Sequence, residues 1–474
     1  MLSTFIEKKI EGNFGFVTTD DQKALISVLG EFVAGGDSSN ILIINGYAGT
    51  GKTSIISALA TTLHQLERQC FLLAPTGRAA KVMSYYSSFE ALTIHKKIYR
   101  QKSATIESFV LNFNKSHNAF FIIDEASMIS SSSYENNIFG SGNLLQDLIE
   151  YVAAGDNGRI ILVGDKAQLP PVGSDISPAL NVNELDQFAP TRFVEIRQVV
   201  RQELNSGILY NATLCRLLIE KGNGGFPHFN LKYPDFQRIE GTDFLETLEN
   251  MYSTYGQGNC IVITRSNKQA NRFNQAIRSR VMFQEEEIDS SDMLMVVKNN
   301  YHYSLTPDKE EQGDGDFIAN GDIAVVRRIK KYQEIYGFRF VDASLRFPDS
   351  DEVEIECKLL LDTLSSESPS LSYNDNKRLF AAVEGDYANI KSKRERYKKM
   401  KEDPYMNALQ IKFAYAITCH KAQGGQWDAV FVDRMIWGEE QMTTELLRWL
   451  YTAITRAKKR LFLLNFPDTF FDAQ

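Results

Sequence analysis

The chain has 474 residues, of which 43% are hydrophobic and 24% are charged, and its formal net charge is −8. This balance is typical of a folded globular protein of about two to four domains, and it excludes a long disordered chain. It also excludes a protein coated in basic surface, although it is compatible with a local basic groove for nucleic acid.

The first residues, MLSTFIEKKIEGNF, lack the apolar core of a secretory signal, and no run reaches the roughly 18 apolar residues of a membrane-spanning helix. The five cysteines are scattered and form no Cys-x-x-Cys pair, which argues against a zinc or iron–sulfur site and favours a reducing interior. We therefore expect a cytoplasmic protein without a membrane partner.

Residues 18–34 predict a capped amphipathic helix, with Gln22 in its first turn. Apolar segments that predict strands then alternate with helical patterns, which favours a parallel α/β sheet. A second series of strands follows, so the chain predicts two α/β units that meet near residue 180. The predicted strands are Ile41–Asn45, Phe71–Ala74, Phe120–Ile123, Ile160–Val163, Ile261–Thr264, Ala429–Val432 and Leu461–Leu464.

The segment GYAGTGKT at 46–53 lies between the first strand and a helical pattern, which is the order that a phosphate-binding loop requires. Its glycines let backbone N–H groups surround a phosphate at the positive end of the helix. Lys52 can then reach the β- and γ-phosphates, and the Thr53 hydroxyl can hold Mg²⁺. The expected nucleotide-binding residues of this loop are Gly46, Ala48, Gly49, Thr50, Gly51, Lys52 and Thr53.

Two further strand ends carry polar residues suited to nucleotide hydrolysis. Asp124 and Glu125 follow the strand Phe120–Ile123, where open parallel sheets bind ligands. We expect Asp124 to hold the Mg²⁺ shell and Glu125 to polarise the attacking water. Gln168 lies just beyond the strand Ile160–Val163 and can hydrogen-bond the γ-phosphate or that water.

The order of these motifs resembles superfamily 1 helicases, and within them subclass B, the RecD/Dda-like enzymes that move 5′ to 3′ on single-stranded DNA. The resemblance extends from Gln22 to Arg456 over several ordered blocks. These blocks are the Gln22 helix, GYAGTGKT at 46–53, APTGRAA at 74–80, TIH at 93–95, DEAS at 124–127, GDKAQLPPVG at 164–173, VVRQ at 199–202, AITCHKAQGGQWDAV at 416–430 and YTAITRAKKR at 451–460.

The resemblance implies a fold of two RecA-like domains that bind ATP and Mg²⁺ between them. It implies that Gln22 reads the adenine edge and that Arg201 and Arg456 are arginine fingers from the second domain. A planar guanidinium suits phosphate better than an ammonium does. It also implies that a further group faces the DNA strand or couples it to ATP, namely Pro75, Thr76, Thr93, His95, Thr418, His420 and Lys421.

Two stretches occupy the positions of family insertions. Residues 96–119 match the small 1B domain, which we expect to be a hairpin that turns at Asn114–Asn118 and splits the duplex with Phe113 as its wedge; packing of Phe113 against its own domain is the alternative. Residues 282–405 match the 2B domain, typically SH3-like, followed here by a helical return. We expect the basic run Lys391–Lys401, which alternates with acids, to be a solvated helix face.

The expected domains are therefore 1–180 for 1A with its 1B insert, 181–281 with 406–474 for 2A, and 282–405 for 2B. The expected function is an ATP-dependent DNA helicase that acts as a monomer on single-stranded and forked DNA and meets replication or repair proteins through 2B. Three alternatives stay open: a translocase that does not unwind, a helicase–nuclease scaffold subunit, and a GTPase-type switch. The GTPase reading lacks its Asn-Lys-x-Asp motif, since Asn267-Lys268 is followed by Gln-Ala. RNA is an additional candidate substrate.

Overall fold

The structure is a computed structural model that describes residues 2–36, 38–103, 106–131, 139–200, 205–222, 225–305, 317–350, 352–434 and 442–471. Within these ranges the chain forms two parallel sheets with flanking helices, a closed barrel and a two-stranded hairpin. In these same ranges, no helix is both long enough and apolar enough to cross a membrane.

The first sheet has the strand order β3-β2-β6-β7-β1-β8 in the described part of the chain, and its neighbours run parallel. Its central strands are buried on both faces, which explains their continuous apolar runs. The strands are β1 Ile41–Gly46, β2 Cys70–Ala74, β3 Ala91–Thr93, β6 Phe120–Ile123, β7 Arg159–Gly164 and β8 Thr191–Ile196. The predicted strands of this half of the chain are confirmed.

Helices cover both faces of this sheet, with one apolar core on each face. The predicted helix at 18–34 is confirmed as Asp20–Ala34, where Thr19 and Gln22 form a reciprocal capping box. The helices of this unit are α1 Leu2–Phe14, α2 Asp20–Ala34, α3 Lys52–Gln65, α4 Gly77–Ser87, α5 Ile94–Ile98, α6 Leu144–Ala153 and α7 Val182–Leu185.

The second sheet has the order β16-β10-β17-β18-β9 among the described residues, and its neighbours are again parallel. Its predicted strands are confirmed. The strands are β9 Phe236–Ile239, β10 Cys260–Thr264, β16 Ala416–Thr418, β17 Trp427–Asp433 and β18 Ala457–Leu464. The helices are α8 Gly207–Lys221, α9 Phe244–Tyr255, α10 Asn267–Arg280, α14 Cys419–Ala422 and α15 Thr444–Ile454.

The expected boundary at residue 180 is wrong, because β8 belongs to the first sheet. Ile41 to Gly46 pair in register with Thr191 to Ile196. The first unit therefore continues past residue 196. The next described element, the helix α8 that begins at Gly207, packs against α15 of the second unit.

The barrel lies within the second unit's sequence and closes in the order β11-β12-β13-β14-β15. Its last strand, Leu409–Phe413, falls outside the expected range 282–405, because it completes the barrel by pairing with Met293–Val296. The strands are β11 Met293–Val296, β12 Ile323–Ile335, β13 Phe338–Phe347, β14 Val353–Leu360 and β15 Leu409–Phe413, and the helices are α11 Asp362–Ser365, α12 Tyr373–Asp386 and α13 Lys393–Lys401. The helical return after the strands is thus confirmed.

The hairpin consists of β4 Tyr99–Ser103 and β5 Ile106–Leu111, which pair antiparallel with Tyr99 opposite Leu111. The expected turn at Asn114–Asn118 is wrong, because the strands are joined between Ser103 and Ile106. Asn114 instead donates its amide to the carbonyl of Tyr151 in α6 at 2.9 Å, which ties this stretch to the first unit. Phe113, two residues beyond β5, therefore lies at the root of the hairpin and not at its tip.

Candidate nucleotide site and nucleic-acid groove

The phosphate-binding loop leaves β1 at Gly46 and enters α3 at Lys52. Gly49 and Gly51 have positive φ angles of 74° and 79°, a conformation that L side chains avoid. A Cβ added to Gly51 would lie 2.7 Å from Nε2 of Gln22. The glycines at these two positions are therefore required by backbone shape and by a close neighbour, and the first-turn N–H groups of α3 remain available for an anion.

The Lys52 ammonium lies within this loop. It donates to the carbonyl of Tyr47 at 2.9 Å and also to the carbonyl of Gly46. The loop thus holds the Lys52 ammonium at the N-terminus of α3. Lys52 is also the side chain that the sequence predicts to contact the β- and γ-phosphates. Thr53 follows in the first turn of α3, and its hydroxyl is one hard oxygen donor of the kind that Mg²⁺ prefers.

Gln22 is buried, and both ends of its amide are engaged. Its Oε1 accepts from the Thr19 backbone N–H at 2.9 Å, and its Nε2 donates to the Thr50 carbonyl at 2.9 Å. In this structure Gln22 therefore fixes the phosphate-binding loop to the start of α2. Reading of adenine by Gln22 stays a prediction, and it requires the amide to exchange one of these partners.

Asp124 and Glu125 lie together where β6 ends. The Glu125 N–H donates to Oδ1 of Asp124 at 2.8 Å, and Glu125 takes a positive φ of 51°, which is uncommon outside glycine. Burial, and then the charge of Glu125, raise the pKa of Asp124, while the Lys52 ammonium opposes that rise. Two neighbouring carboxylates in a desolvated position match a divalent cation, so Asp124 and the Thr53 hydroxyl fit a magnesium site.

Gln168 is buried close to the same edge, in the loop that follows β7. Its backbone N–H donates to the Asp165 carbonyl at 3.2 Å. Its side-chain Oε1 is buried without a hydrogen-bond partner among the described residues. A buried amide oxygen without a hydrogen-bond donor lowers the stability of the fold unless a ligand or a water molecule supplies that donor. The position of Oε1 therefore supports the predicted contact of Gln168 with the γ-phosphate or the attacking water.

Arg456 reaches this site from the second unit. Its guanidinium is buried, and Nη1 lies 3.7 Å from Oε1 of Glu125. Nε donates to the Thr452 carbonyl at 3.1 Å, and Nη1 donates to the Gly425 carbonyl at 3.3 Å. These bonds fix the plane of the guanidinium before any ligand arrives. The other expected arginine finger, Arg201, lies outside the described residues.

Tyr451 is a site residue that the sequence reasoning missed. Its hydroxyl donates to Oδ2 of Asp165 at 2.6 Å and accepts from the Ala48 N–H of the phosphate-binding loop at 2.9 Å. It therefore joins α15 of the second unit to two motifs of the first. Its sequence signal was its place in the YTAITRA block, where it resembled one more apolar residue of an amphipathic helix.

Arg216 is a second residue that the sequence reasoning missed. It belongs to α8, and its guanidinium lies 4.5 Å from the centre of the Tyr47 ring in the phosphate-binding loop. The Tyr47 hydroxyl donates to Glu195 at 3.0 Å, and burial together with the charge of Glu195 raises the pKa of Tyr47. No local motif marks Arg216, because its partner is 169 residues away in the sequence, at Tyr47.

The predicted DNA-facing residues of the first unit follow neighbouring strands, since Ala74 pairs with Thr93 across β2 and β3. Pro75 and Thr76 continue β2. The hydroxyls of Thr76 and Thr93 cap α4 and α5 by accepting from Ala79 and Lys96. His95 packs against the rings of Tyr99 and Phe139, and burial lowers its pKa to about 4, so this imidazole is neutral near pH 7. A neutral His95 can contact a strand only by hydrogen bonding or packing.

The predicted DNA-facing residues of the second unit surround α14. Thr418 precedes this helix, and its hydroxyl makes no capping bond to it. His420 is exposed. The Lys421 ammonium is buried without a hydrogen-bond partner among the described residues, and burial lowers its pKa to about 8. An ammonium in that environment favours an anionic ligand.

The two groups of predicted DNA-facing residues meet where α4 packs against the loop after α14. A Cβ added to Gly424 would lie 2.9 Å from Cβ of Ala79, and the Arg78 guanidinium lies 4.0 Å from the centre of the Trp427 ring. Gly425, next in the chain, is the carbonyl partner of Arg456. The predicted DNA-facing surface and Arg456 are thus connected through one short loop.

Comparison with known proteins agrees with this geometry. The AAA domain family matches residues 20–214, and the UvrD-like helicase C-terminal domain matches residues 413–464. Uncharacterized protein R530 of Acanthamoeba polyphaga mimivirus is 24% identical in an alignment that is 506 positions long with its gaps. This alignment covers 90% of this chain and 95% of that protein. The ATP-dependent RecD2 DNA helicase of Deinococcus radiodurans is 29% identical over 172 residues, which cover 36% of this chain and only 21% of that enzyme.

Among solved structures, a Pif1 helicase from Bacteroides in complex with ADP-AlF3 and single-stranded DNA aligns with a TM-score of 0.49 at 13% identity, over 97% of this chain and 95% of that one. The two family matches carry the argument, because they fall on the segments that hold Lys52, Glu125 and Arg456. The chain is therefore similar to ATP-dependent DNA helicases of superfamily 1, and among its relatives to the RecD-like enzymes.

Proposed function

We propose that this protein uses ATP hydrolysis to move 5′ to 3′ along single-stranded DNA and to unwind duplex DNA ahead of it. The observation that carries the proposal is the junction of the two units, where buried Arg456 lies 3.7 Å from Glu125. Residues from both units are needed to complete one nucleotide site, so opening and closing of the junction is coupled to the state of the nucleotide.

In this proposal the bound Mg²⁺–ATP supplies the scissile phosphoanhydride and the charge that the site stabilises. Lys52 neutralises the β- and γ-phosphates, Asp124 and Thr53 hold the cation, and Glu125 accepts the proton of the attacking water. Gln168 orients that water through Oε1, which has no hydrogen-bond partner in the part of the chain that the structure describes. Arg456 stabilises the charge that develops on the transferred phosphoryl group.

The movement that we propose depends on the loop Gly424–Gly425. Its carbonyl at Gly425 holds Arg456, while its close contacts with Ala79 and Arg78 reach the start of α4 beside Thr76. A strand that binds Thr76, Thr93, Thr418, His420 and Lys421 spans both units and therefore favours their closure. Single-stranded DNA is thus expected to stimulate ATP hydrolysis.

The hairpin β4–β5 and the barrel β11–β15 take the roles of the family insertions in this proposal. We assign the hairpin to 1B, as the element that divides the duplex, and the barrel to an SH3-like 2B domain that holds replication or repair partners. The polarity rests on the resemblance of HKAQG and AITRA to the 5′-to-3′ enzymes, because the chemistry of the nucleotide site is common to both directions.

The test is strand separation on duplexes that carry either a 5′ or a 3′ single-stranded tail, with ATP turnover measured in parallel with and without single-stranded DNA. We expect unwinding from the 5′ tail alone and turnover that rises strongly with DNA. Unwinding from the 3′ tail would overturn the polarity. DNA-stimulated turnover without strand separation would favour a translocase, and equal turnover with and without DNA would refute the coupling.

A further inference from the structure

The helix α13 carries a concentration of positive charge in a chain whose net charge is −8. Residues 391–402 contain seven basic and two acidic residues. The contacts in the structure divide these residues into an inward side, which faces the protein, and an outward side, which faces solvent. Arg396 points inward, where it pairs with Glu384 at 3.3 Å and donates to the Ile390 carbonyl at 3.0 Å, and Met400 is buried beside it.

The outward side of this segment is formed by Lys391, Arg394 and Lys398, all of which are exposed. Arg394 and Lys398 are four residues apart and so lie on one face of the helix, about 6 Å apart along its axis. Lys391 precedes the helix by two residues and follows the same face. These three are the basic face of α13. Within the described part of the chain, the three residues of the basic face form no ion pair, whereas the neighbouring Lys399 is paired with Glu402 at 3.7 Å.

The C-terminal end of α13 is connected to strand β5 of the hairpin through Asn407, Asn300 and Tyr301. Asn407, which donates to the Lys401 carbonyl at 2.6 Å, accepts from the Asn300 amide through its own carbonyl at 2.9 Å. Asn300 is followed by Tyr301, whose ring centre lies 4.8 Å from that of Phe109 on β5. Glu402 also acts on His302, since its charge opposes the fall in pKa that burial causes there.

We infer that the basic face of α13 binds the phosphate backbone of the duplex that enters the hairpin. The inference rests on the proposed function, since a duplex reaches this place only if the hairpin divides it. A duplex presents a dense row of phosphates, and unpaired lysine and arginine side chains bind such a row without reading sequence. If the basic run is only a solvated helix face, as the charge pattern predicts, its removal would not change the affinity for duplex DNA.

The test compares Lys391→Glu/Arg394→Glu/Lys398→Glu with the wild type and with a control of equal charge change, Lys8→Glu/Lys221→Glu/Lys232→Glu. The control residues are exposed and lie on α1, on α8 and in the loop before β9. Affinity is measured for a fork with a 5′ tail and for the same tail as a single strand, over a series of NaCl concentrations.

We expect the α13 variant to bind the fork at least ~10-fold more weakly at 0.15 M NaCl, with a salt slope that is less steep by about 2 to 3, one for each lost contact. Its affinity for the single strand and its DNA-stimulated ATP turnover should stay within about twofold of the wild type, and the control should bind the fork like the wild type.

Unchanged fork affinity in the α13 variant would overturn the inference and leave a face that is solvated or that meets an acidic protein. Equal losses for fork and single strand, or an equal loss in the control, would also overturn it, in favour of a single-strand contact or of bulk charge. Failure of the proposed function is seen separately, as wild-type turnover that does not respond to single-stranded DNA.

Discussion

Nη1 of Arg456 lies 3.7 Å from Oε1 of Glu125, so that a cation of the second unit meets the expected general base of the first. The guanidinium is held from behind by the carbonyls of Thr452 and Gly425. The position of Arg456 therefore reports how the two units are placed, and any movement of the Gly425 loop changes the charge around Glu125.

Replacing Lys52 by Ala should abolish ATP turnover and unwinding while the fold is retained. The ammonium is held by the carbonyls of Gly46 and Tyr47 within the phosphate-binding loop, and in the proposed function it neutralises the β- and γ-phosphates. The measurement is turnover in a purified variant whose melting temperature and circular dichroism match those of the wild type. Lys23→Ala, an exposed lysine on α2, is the control and should be fully active; near-normal turnover in Lys52→Ala would refute the assignment.

Replacing Glu125 by Gln should leave ATP binding intact and slow hydrolysis at least ~100-fold, because the amide keeps the size of the side chain but cannot accept the proton of water. Binding is measured by titration with a fluorescent ATP analogue, and hydrolysis by phosphate release in a single turnover. The comparison variant is Asp124→Asn, which should instead weaken the binding of Mg²⁺, so that turnover needs a higher Mg²⁺ concentration. Normal hydrolysis in Glu125→Gln beside a dead Asp124→Asn would show that these two assignments are wrong.

Replacing Arg456 by Lys should reduce DNA-stimulated ATP turnover at least ~100-fold, although the charge is conserved. A lysine cannot reproduce the planar fork, and it would lose the bonds that Arg456 donates to the Gly425 and Thr452 carbonyls. The control is Arg460→Lys, whose guanidinium makes a 3.3 Å bond to Gln237 away from the junction. If the Arg456 variant retained DNA stimulation, Arg456 would be a structural cation only.

Replacing Lys421 by Met should raise the melting temperature and weaken binding of single-stranded DNA. The ammonium is buried without a partner among the described residues, so its removal relieves desolvation, while the anion loses its cation. Lys412→Met is the matched comparison. Its ammonium donates to the Thr363 carbonyl at 3.1 Å and to that of Ser366, so this change should lower the melting temperature. A stabilised Lys421 variant with unchanged DNA affinity would remove Lys421 from the DNA surface.

Replacing Phe113 by Ala should leave duplex unwinding within about twofold of the wild type. The ring is 71% exposed and lies 4.8 Å from the Arg100 guanidinium at the root of the hairpin, so a cation–π contact of ~0.5–1 kcal/mol is the main loss. Unwinding and movement on single strands are measured with one preparation. A selective loss of unwinding would show that the root of the hairpin, and Phe113 within it, meets the fork.

The inner strands of both sheets were predictable, because buried parallel strands such as Phe120–Ile123 are written as short apolar runs. The phosphate-binding loop, Asp124, Glu125 and Gln168 were predictable because each follows such a run directly. Because the carboxyl ends of parallel strands meet at one edge of the sheet, the local sequence was enough to place these residues together.

Three features could not be read locally. The strand Thr191–Ile196 mixes polar and apolar residues without a regular alternation, and its partner β1 lies 150 residues earlier. The asparagines at 112–118 resemble a turn, but Asn114 uses its side chain to reach Tyr151. Tyr451 resembles a core residue, since only the fold brings its hydroxyl to Asp165. In each case a distant partner decides what the local sequence leaves open.

The barrel begins and ends at one place in the second unit. Asp292, just before its first strand, accepts a 3.0 Å hydrogen bond from the hydroxyl of Tyr415, just after its last strand, and the Met293 N–H donates to the same hydroxyl. Leu294 lies opposite Phe413 in an antiparallel pair, a geometry that a short reverse turn can close.

The chain thus departs from the ATPase core and returns to it through neighbouring residues. A module mounted in this way can be excised, exchanged with that of a relative or replaced by a tag, with the motor left continuous. Evolution and protein engineering have the same freedom here: the machinery that consumes ATP and the attachment that chooses where it works can change separately.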